Sequence, residues 1–429
     1  MSIMADCLLK KSERFNISIP HQADVIKWIE NELLQVPALL SLIEGLTFST
    51  IGYNNTEKKV SIAVKYSNYS TSSLVFLVKD IFELITAVSL TLKFHMNDIC
   101  FVVDNRNSFI ENNDVSNKIK DCQEYVGEEL QIHQRSSTTS SWRSFFQNRI
   151  IMYRMHSSYF DSSKDINDLS CILAEQAMMI RNNNYNNPKK MINAIMEWFR
   201  ENIKYENTSQ TSDHSAVGLY KNKTAVCQGI AAYAYQLLSY CGLPARYVSG
   251  EGHGADGWGS HGWNMVKIDR NWHHIDYTFE LNGVSETVLI PSFLFKRNHR
   301  WSEGRYNDVI SNEVYNSRKT LEHSVIILSP NRSRFSVNGC IIDTTFSHPI
   351  CITINSIMCV SILDIISIYG GCSNLINSLL YIYIGTDIYK IPLNQLILKN
   401  NVWYVKITQL INIKVSLKTV DEFIILQKE

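Results

Sequence analysis

The chain has no surplus of either charge: 41 Lys plus Arg face 41 Asp plus Glu among 429 residues. That balance gives no footing for a nucleic-acid partner and no acidic arm. No run of 18 apolar residues occurs, so no membrane span is expected. The longest approach to one, 350–369, is broken by polar residues. The first sixteen residues, MSIMADCLLKKSERFN, contain no apolar stretch of signal-peptide length, and a cytoplasmic location is expected. Ten cysteines are scattered without a single C-x-x-C pair, which argues against a zinc site and for reduced, mostly buried thiols. No EF-hand-like loop is present, so no calcium requirement is expected. The glycines at 252, 254, 257 and 259 are not followed by Lys-Ser/Thr or a helix start, and so do not make a phosphate loop. No cofactor is expected.

What is present is concentrated between Thr224 and Thr278. Cys227, Ala231, Ala234, Leu238 and Cys241 recur at steps of four and three, one face of a helix that stops at Gly242 and Pro244. Cys227 therefore opens a helix, where the positive end of the helix dipole favours a thiolate, the nucleophilic form. ARYVSGE (Ala245–Glu251) reads as a strand, GHGADGWGS as a glycine-rich loop, and HGWNMVKI (His261–Ile268) as a second strand. Asp269–Asn271 is a tight turn, and WHHIDYTF (Trp272–Phe279) returns as the other arm of a hairpin. Antiparallel pairing then sets His261, early in one arm, beside Asp276, late in the other. A thiol, an imidazole and a carboxylate in that relation are a nucleophile, a general base and acid, and a group that orients the imidazole.

These residues carry a family resemblance. Cys227 after Ala-Val, GLPARYVSG (Gly242–Gly250), HGW (His261–Trp263) and W-x-x-x-D-Y-T (Trp272–Thr278) resemble the transglutaminase-like superfamily of cysteine enzymes. The helix of Pro188–Tyr205, then SAVGLYKNKTAVC (Ser215–Cys227), fits the same order, and the likeness runs over about residues 165 to 305. It implies an α+β, papain-like core with helices packed on an antiparallel sheet, and a catalytic triad of Cys227, His261 and Asp276. It also implies acyl transfer on a peptide or protein carboxamide through a Cys227 thioester, resolved by an amine acceptor to an amide or isopeptide bond, or by water. The alternatives are a cysteine peptidase or deamidase of the same fold and a non-catalytic protein-binding scaffold. Lone cysteines and histidines are usually core residues; the common spacing of three such groups is what favours chemistry here. His253, His273 and His274 lack thiolate or carboxylate partners at ligand spacing and are expected to face solvent or support the site. Trp258 and Trp263 are equally suited to line an acceptor channel or to pack the core.

The flanks carry no visible chemistry. Residues 1–158 are expected to form an α+β domain: helical periodicity over Ala23–Leu46 interrupted at Pro37, a strand at Lys59–Tyr66, and an apolar helix at Ser72–Val88. A strand beginning at Leu90–Phe94, another at Ile99–Asp104, a polar loop at Asn105–Asn117 and an exposed Ser/Thr-rich stretch at His133–Trp142 follow. Tyr159–Asp165 is expected as a linker into a catalytic domain of 159–310. Residues 325–429 turn β-rich. There Val337–Gly339, Asn355, Val360, Ile365, Gly370–Gly371 and Trp403–Val405 resemble a degenerate bacterial stalk domain, named for its likeness to the N-terminal part of copper amine oxidases. Ser361 replaces its usual Pro, and the likeness implies binding or spacing rather than catalysis. Relatives with such domains are often exported, whereas no export signal is read here.

Overall fold

The computed structural model describes residues 3–67, 74–110, 114–127, 135–184, 186–206, 210–284, 286–322, 324–345, 347–420 and 423–428. The chain is α+β throughout. Its central unit begins with α1 (Ser163–Asn183), capped by Ser162, whose side chain accepts from the Asp165 N–H. Helix α2 (Pro188–Asn202) starts on a proline, whose missing N–H costs nothing in a first turn, behind an Asn187 cap. Helix α3 (Ala216–Asn222) leads into α4 (Cys227–Tyr240). The run from Gly229 to Leu238 is buried almost without a break, as the small residues at 229, 231, 232 and 234 allow.

A five-stranded antiparallel sheet packs on α4. Strands β1 (Ala245–Gly254) and β2 (Gly257–Ile268) form a long hairpin, and β3 (Asn271–Ile275) returns beside β2. After β3 the short helix α5 (Tyr277–Leu281) begins, capped by Asp276. Strands β4 (Val288–Ile290) and β5 (His299–Trp301) then take the two edges, giving the order β4-β3-β2-β1-β5. Two expectations are corrected here. The glycine-rich stretch 252–260 is no loop: it is the paired end of the β1–β2 hairpin, closed at Gly254↔Gly257. Alternation was hidden because glycine has no side chain to alternate. Trp272–Phe279 is also not strand throughout, since Asp276 ends the strand and caps a helix.

The flanks meet in one sheet. Nine strands run in the order 415–420, 423–428, 325–328, 334–337, 340–343, 75–78, 98–104, 150–159, 135–145. The two ends of the chain join where Ile341, Ile342 and Asp343 pair antiparallel with Leu77, Phe76 and Val75. Stretches on either side of the boundaries drawn at 158 and 325 are thus hydrogen-bonded together, and a shared core covers residues from Phe76 to Leu426. A three-stranded sheet of Arg14–Pro20, Glu57–Tyr66 and Ile43–Tyr53 completes the N-terminal part.

Several flank assignments change. The apolar run expected as one helix from Ser72 divides: its first two residues lie outside the described residues, Val75–Val78 is a fully buried strand, and the helix starts at Ile81 behind the Asp80 cap. A strand buried on both faces has no alternation and resembles a helix by composition. That helix continues to Lys93, so Leu90–Phe94 is its end and not a strand. Residues 105–117 are not all loop, because a helix starts at Val115; 111–113 lie outside the described residues. Arg135–Phe145 is an exposed edge strand, with residues 133 and 134 also outside the described residues. In the C-terminal part four hairpins close on two residues with positive φ: Asn338-Gly339, Asn355-Ser356, Asn377-Ser378 and Asn400-Asn401. Asparagine tolerates the left-handed conformation such turns need. No helix among the described residues is long and apolar enough to cross a membrane.

Candidate functional site

Cys227 is the first residue of α4 and is partly exposed. Val226, the residue before it, gives no side-chain cap, so the first-turn amides are not claimed by a cap side chain. The helix start is pinned from below. The Val226 N–H donates to the Asp213 carbonyl, 3.1 Å, and a Cβ on Gly229 would lie 2.7 Å from that oxygen. Only glycine lets the segment 211–215 come so close. On that segment His214 Nδ1 lies 3.0 Å from Oε1 of Gln228, the residue that follows Cys227. Tyr205 reaches the same place from a two-residue strand paired with Thr224–Ala225. Burial, then the charges of Cys227 and Asp276, push its phenol up.

His261 comes from β2, which is tied to α4 where Asn264 Nδ2 donates to the Ala231 carbonyl, 3.0 Å. Its Nε2–H donates to Asp276 Oδ2 at 2.7 Å, and Cys227 is its other hydrogen-bonding side chain. Its side chain is 7% exposed and that of Asp276 is 0%. Burial by itself disfavours the charged imidazole. The hydrogen bond to Asp276, that with Cys227, and the charges of both outweigh it, and the pKa rises to about 10. Asp276 shows the converse: burial pushes the carboxyl up, but hydrogen bonds from His261 and His299 win and hold it near about 2. The site is therefore a buried carboxylate carrying a protonated imidazole beside a sulfur.

The structure brings together all three residues singled out from sequence. It adds a fourth, His299 of β5, whose Nε2 lies 2.9 Å from the same Asp276 Oδ2. Asp276 Oδ1 accepts the Phe279 N–H at 3.1 Å, the α5 cap. The carboxylate thus collects three donors. No sequence signal marked His299: a three-residue strand has no periodicity.

His261, Asp276 and His299 have donor types a metal could use, with ligand atoms within 4.8 Å of one another. Their N–O distances of 2.7 and 2.9 Å are hydrogen-bond distances. A tetrahedral zinc with bonds of ~2.0–2.1 Å would hold such atoms roughly 3.3 Å apart. The observed spacing is that of shared protons.

The other histidines separate. His253 is exposed near the hairpin tip, against Trp258, and His273 is half-buried. His274 is fully buried behind the site. It accepts from Trp263 Nε1–H at 2.9 Å and stacks on Phe295 at 4.5 Å. Burial first, then the nearby His299 and His273, lower its pKa to about 3, so it is a neutral support. Trp263 is 1% exposed and backs the His261 ring at 5.8 Å, a core residue and not a channel wall. Trp258 is 37% exposed and carries the Arg300 guanidinium 3.7 Å over its ring.

Gly252 sets the room for the imidazole. A Cβ there would come within 3.1 Å of the His261 ring and of Phe279. Gly252→Ala should therefore slow alkylation of Cys227 by about three- to tenfold, short of the ~100-fold of a 1 Å misplacement. The urea midpoint should change little. Wild-type alkylation in a folded Gly252→Ala protein would show that the ring has slack.

Residues 177–277 match the model of the transglutaminase-like superfamily. No curated protein sequence matches the chain. Among solved structures, a candidate cysteine protease from Cytophaga hutchinsonii is 16% identical, with 34% of this chain and 66% of that one covered and a TM-score of 0.22. One described as a TGase is 14% identical, with 49% and 56% covered and a TM-score of 0.24. A candidate protease from Parabacteroides distasonis is 7% identical, with 67% and 66% covered and a TM-score of 0.20. The chain thus spans 56–66% of the length of these structures. Likenesses this partial say nothing of substrate.

Proposed function

We propose, from the premise that this chain carries a transglutaminase-like cysteine-enzyme core, that it transfers acyl groups from a peptide or protein carboxamide through a thioester on Cys227. One observation carries the reading: a buried imidazole hydrogen-bonded to a buried carboxylate, with the Cys227 sulfur as its other partner. In the forward step the sulfur attacks the carboxamide carbon and the carbonyl oxygen takes the charge. The first-turn amides of α4 are the donors nearest to that oxyanion. His261 gives its proton to the departing amine, which leaves as ammonia from a glutamine side chain. The thioester then passes its acyl group to an amine, or to water, with His261 accepting the proton from either. Asp276 keeps the imidazole in one orientation and tautomer and balances its charge. Cys227, His261 and Asp276 are the catalytic residues of this reading.

The test is intact-mass analysis of a glutamine-containing peptide with the full chain, with and without a primary amine. Amine incorporation with loss of about 17 Da for the ammonia released supports transfer, and a gain of about 1 Da alone marks the hydrolytic alternative, deamidation. A backbone cut would mark the peptidase alternative. No change in any peptide of a glutamine-bearing library, with Cys227 intact, would sink the reading.

A further inference from the structure

We infer that His299 is a positioning residue of this site, whose Nε2–H fixes the Asp276 oxygen on which His261 depends. The inference builds on the proposed role of Asp276 and His261. Its observable, however, is the chemistry of the Cys227 sulfur rather than acyl transfer.

The geometry is specific. Oδ2 of Asp276 receives His261 at 2.7 Å and His299 at 2.9 Å, while Oδ1 is held by the α5 cap. A carboxylate that is 0% exposed has lost its water, and each donor it keeps is a large share of what replaces that water. The cap and His261 hold one oxygen each, and the second imidazole adds a further donor on the very oxygen that His261 uses. It approaches from the sheet edge opposite to β3, because β5 pairs with β1 at Gly252↔His299. Its ring is stacked on Phe295 at 3.8 Å and meets Trp263 edge-on at 5.0 Å, and its Nδ1 lies 2.8 Å from Asn298 Oδ1. His299 is itself fully buried and so cannot touch a substrate. A phenyl ring would fill the same stack, so packing alone gives no reason for an imidazole here.

The two imidazoles on one oxygen differ in charge. Burial lowers the His299 pKa, and the nearby charge of His261 works the same way, against the pull of Asp276. His299 is the less readily protonated of the two rings, and His261 the more readily protonated. The titratable groups around this row are Cys227 and Tyr205 on the α4 side, and His274 beyond Phe295. Glu280 is linked through the Thr287 hydroxyl, and Arg300 beside His299 lies over Trp258. No further carboxylate among the described residues hydrogen-bonds either ring, so Asp276 is the anion that both share.

The experiment compares His299→Phe and His299→Gln in the full chain. The readout is the pH profile of Cys227 alkylation by iodoacetamide, followed by peptide mass mapping. Removing a donor raises the pKa of a buried carboxylate and weakens its hold on the imidazolium. His299→Phe should therefore move the acid limb of the profile up by about one pH unit and slow alkylation near neutrality by about tenfold or more. Gln keeps an N–H able to reach Oδ2, so His299→Gln should stay within about threefold, with the limb in place. A folded His299→Phe protein with the wild-type profile would overturn the inference, as would a Gln variant that loses as much as Phe. Should the Phe variant not fold, 15N-histidine spectra of the wild type decide. A His299 whose Nε2 proton is held in a strong hydrogen bond supports the assignment, and a His299 without that proton rejects it. Alkylation needs no acyl donor. A reactive Cys227 in a chain that transfers no acyl group would refute the proposed function and leave this inference standing.

Discussion

Asp276→Asn should lower the proposed acyl-transfer turnover by about four orders of magnitude, the size seen when the carboxylate of a comparable relay is made neutral. The reason lies in how completely the site is built on one charge. Both imidazoles donate to Oδ2, and an amide NH2 in that place would face two N–H groups with two of its own. His261 is 7% exposed at its side chain, so without the anion burial is opposed only by Cys227 and the ring loses its proton below about 10, where it now titrates. Asp276→Ala adds a second penalty. It leaves His261, His299 and the Phe279 N–H without their acceptor, and each buried donor left unmatched costs about 1–3 kcal/mol. Turnover and urea midpoint should thus fall together in the Ala variant, but largely separately in Asn, whose remaining oxygen can still cap α5. Near-normal turnover in Asp276→Asn would mean that the carboxylate only caps a helix.

The same pair makes stability depend on pH, and the two groups give opposite signs. His261 is raised in the folded chain, so its contribution is complete below about 6.5 and is lost as pH climbs through about 10. Asp276 is depressed, so its contribution is present above about 3.8 and is lost as pH falls toward about 2. The pair therefore stabilises most between about pH 4 and 6.5. Asp276→Ala should flatten the part of the stability profile that belongs to it.

Cys227→Ala has the largest expected effect, since it removes the atom that would carry the acyl group. Turnover should fall to the solution background, and the mass adduct formed on incubation with an acyl donor should vanish. The fold should persist, because Cys227 stands at a partly exposed helix start whose contacts run through Gly229 and Ala231. Cys227→Ser is the sharper comparison. A hydroxyl fits the space, but it ionises far less readily than a thiol, so activity should also be lost to near background. The buried cysteines cannot substitute. Eight are buried, and burial pushes Cys100, Cys122 and Cys241 up to about 12. Residual transfer in Cys227→Ala would place the reaction elsewhere.

Much of this site could be read before the structure. The four-three spacing of Cys227, Ala231, Ala234 and Leu238 gave a helix with its thiol at the start. Two hairpin arms joined by Asp269–Asn271 gave the meeting of His261 and Asp276, because antiparallel register leaves little choice over so short a turn. His299 was not legible: its place depends on a three-residue strand finding the far edge of the sheet, a contact without local pattern. His214 was missed for a similar reason, since only the close approach allowed by Gly229 brings its segment to the start of α4. The flanks failed for a physical cause as well. A buried strand such as Val75–Val78 carries no alternation, and pairing between residues as far apart in the chain as Leu77 and Ile341 leaves no trace in a local window.

The most direct measurement is the rate at which iodoacetamide modifies each cysteine of the native chain at about pH 6, resolved by peptide mapping. An ordinary thiol, with a pKa near 8.5, is mostly protonated there. Cys7 is the natural control, being the other partly exposed cysteine. If the imidazolium of His261 stands beside the sulfur as described, Cys227 is modified first and at least about tenfold faster than Cys7. If Cys227 reacts no faster than Cys7, no activated nucleophile is present, and the chain is better read as a binding scaffold on an idle enzyme core.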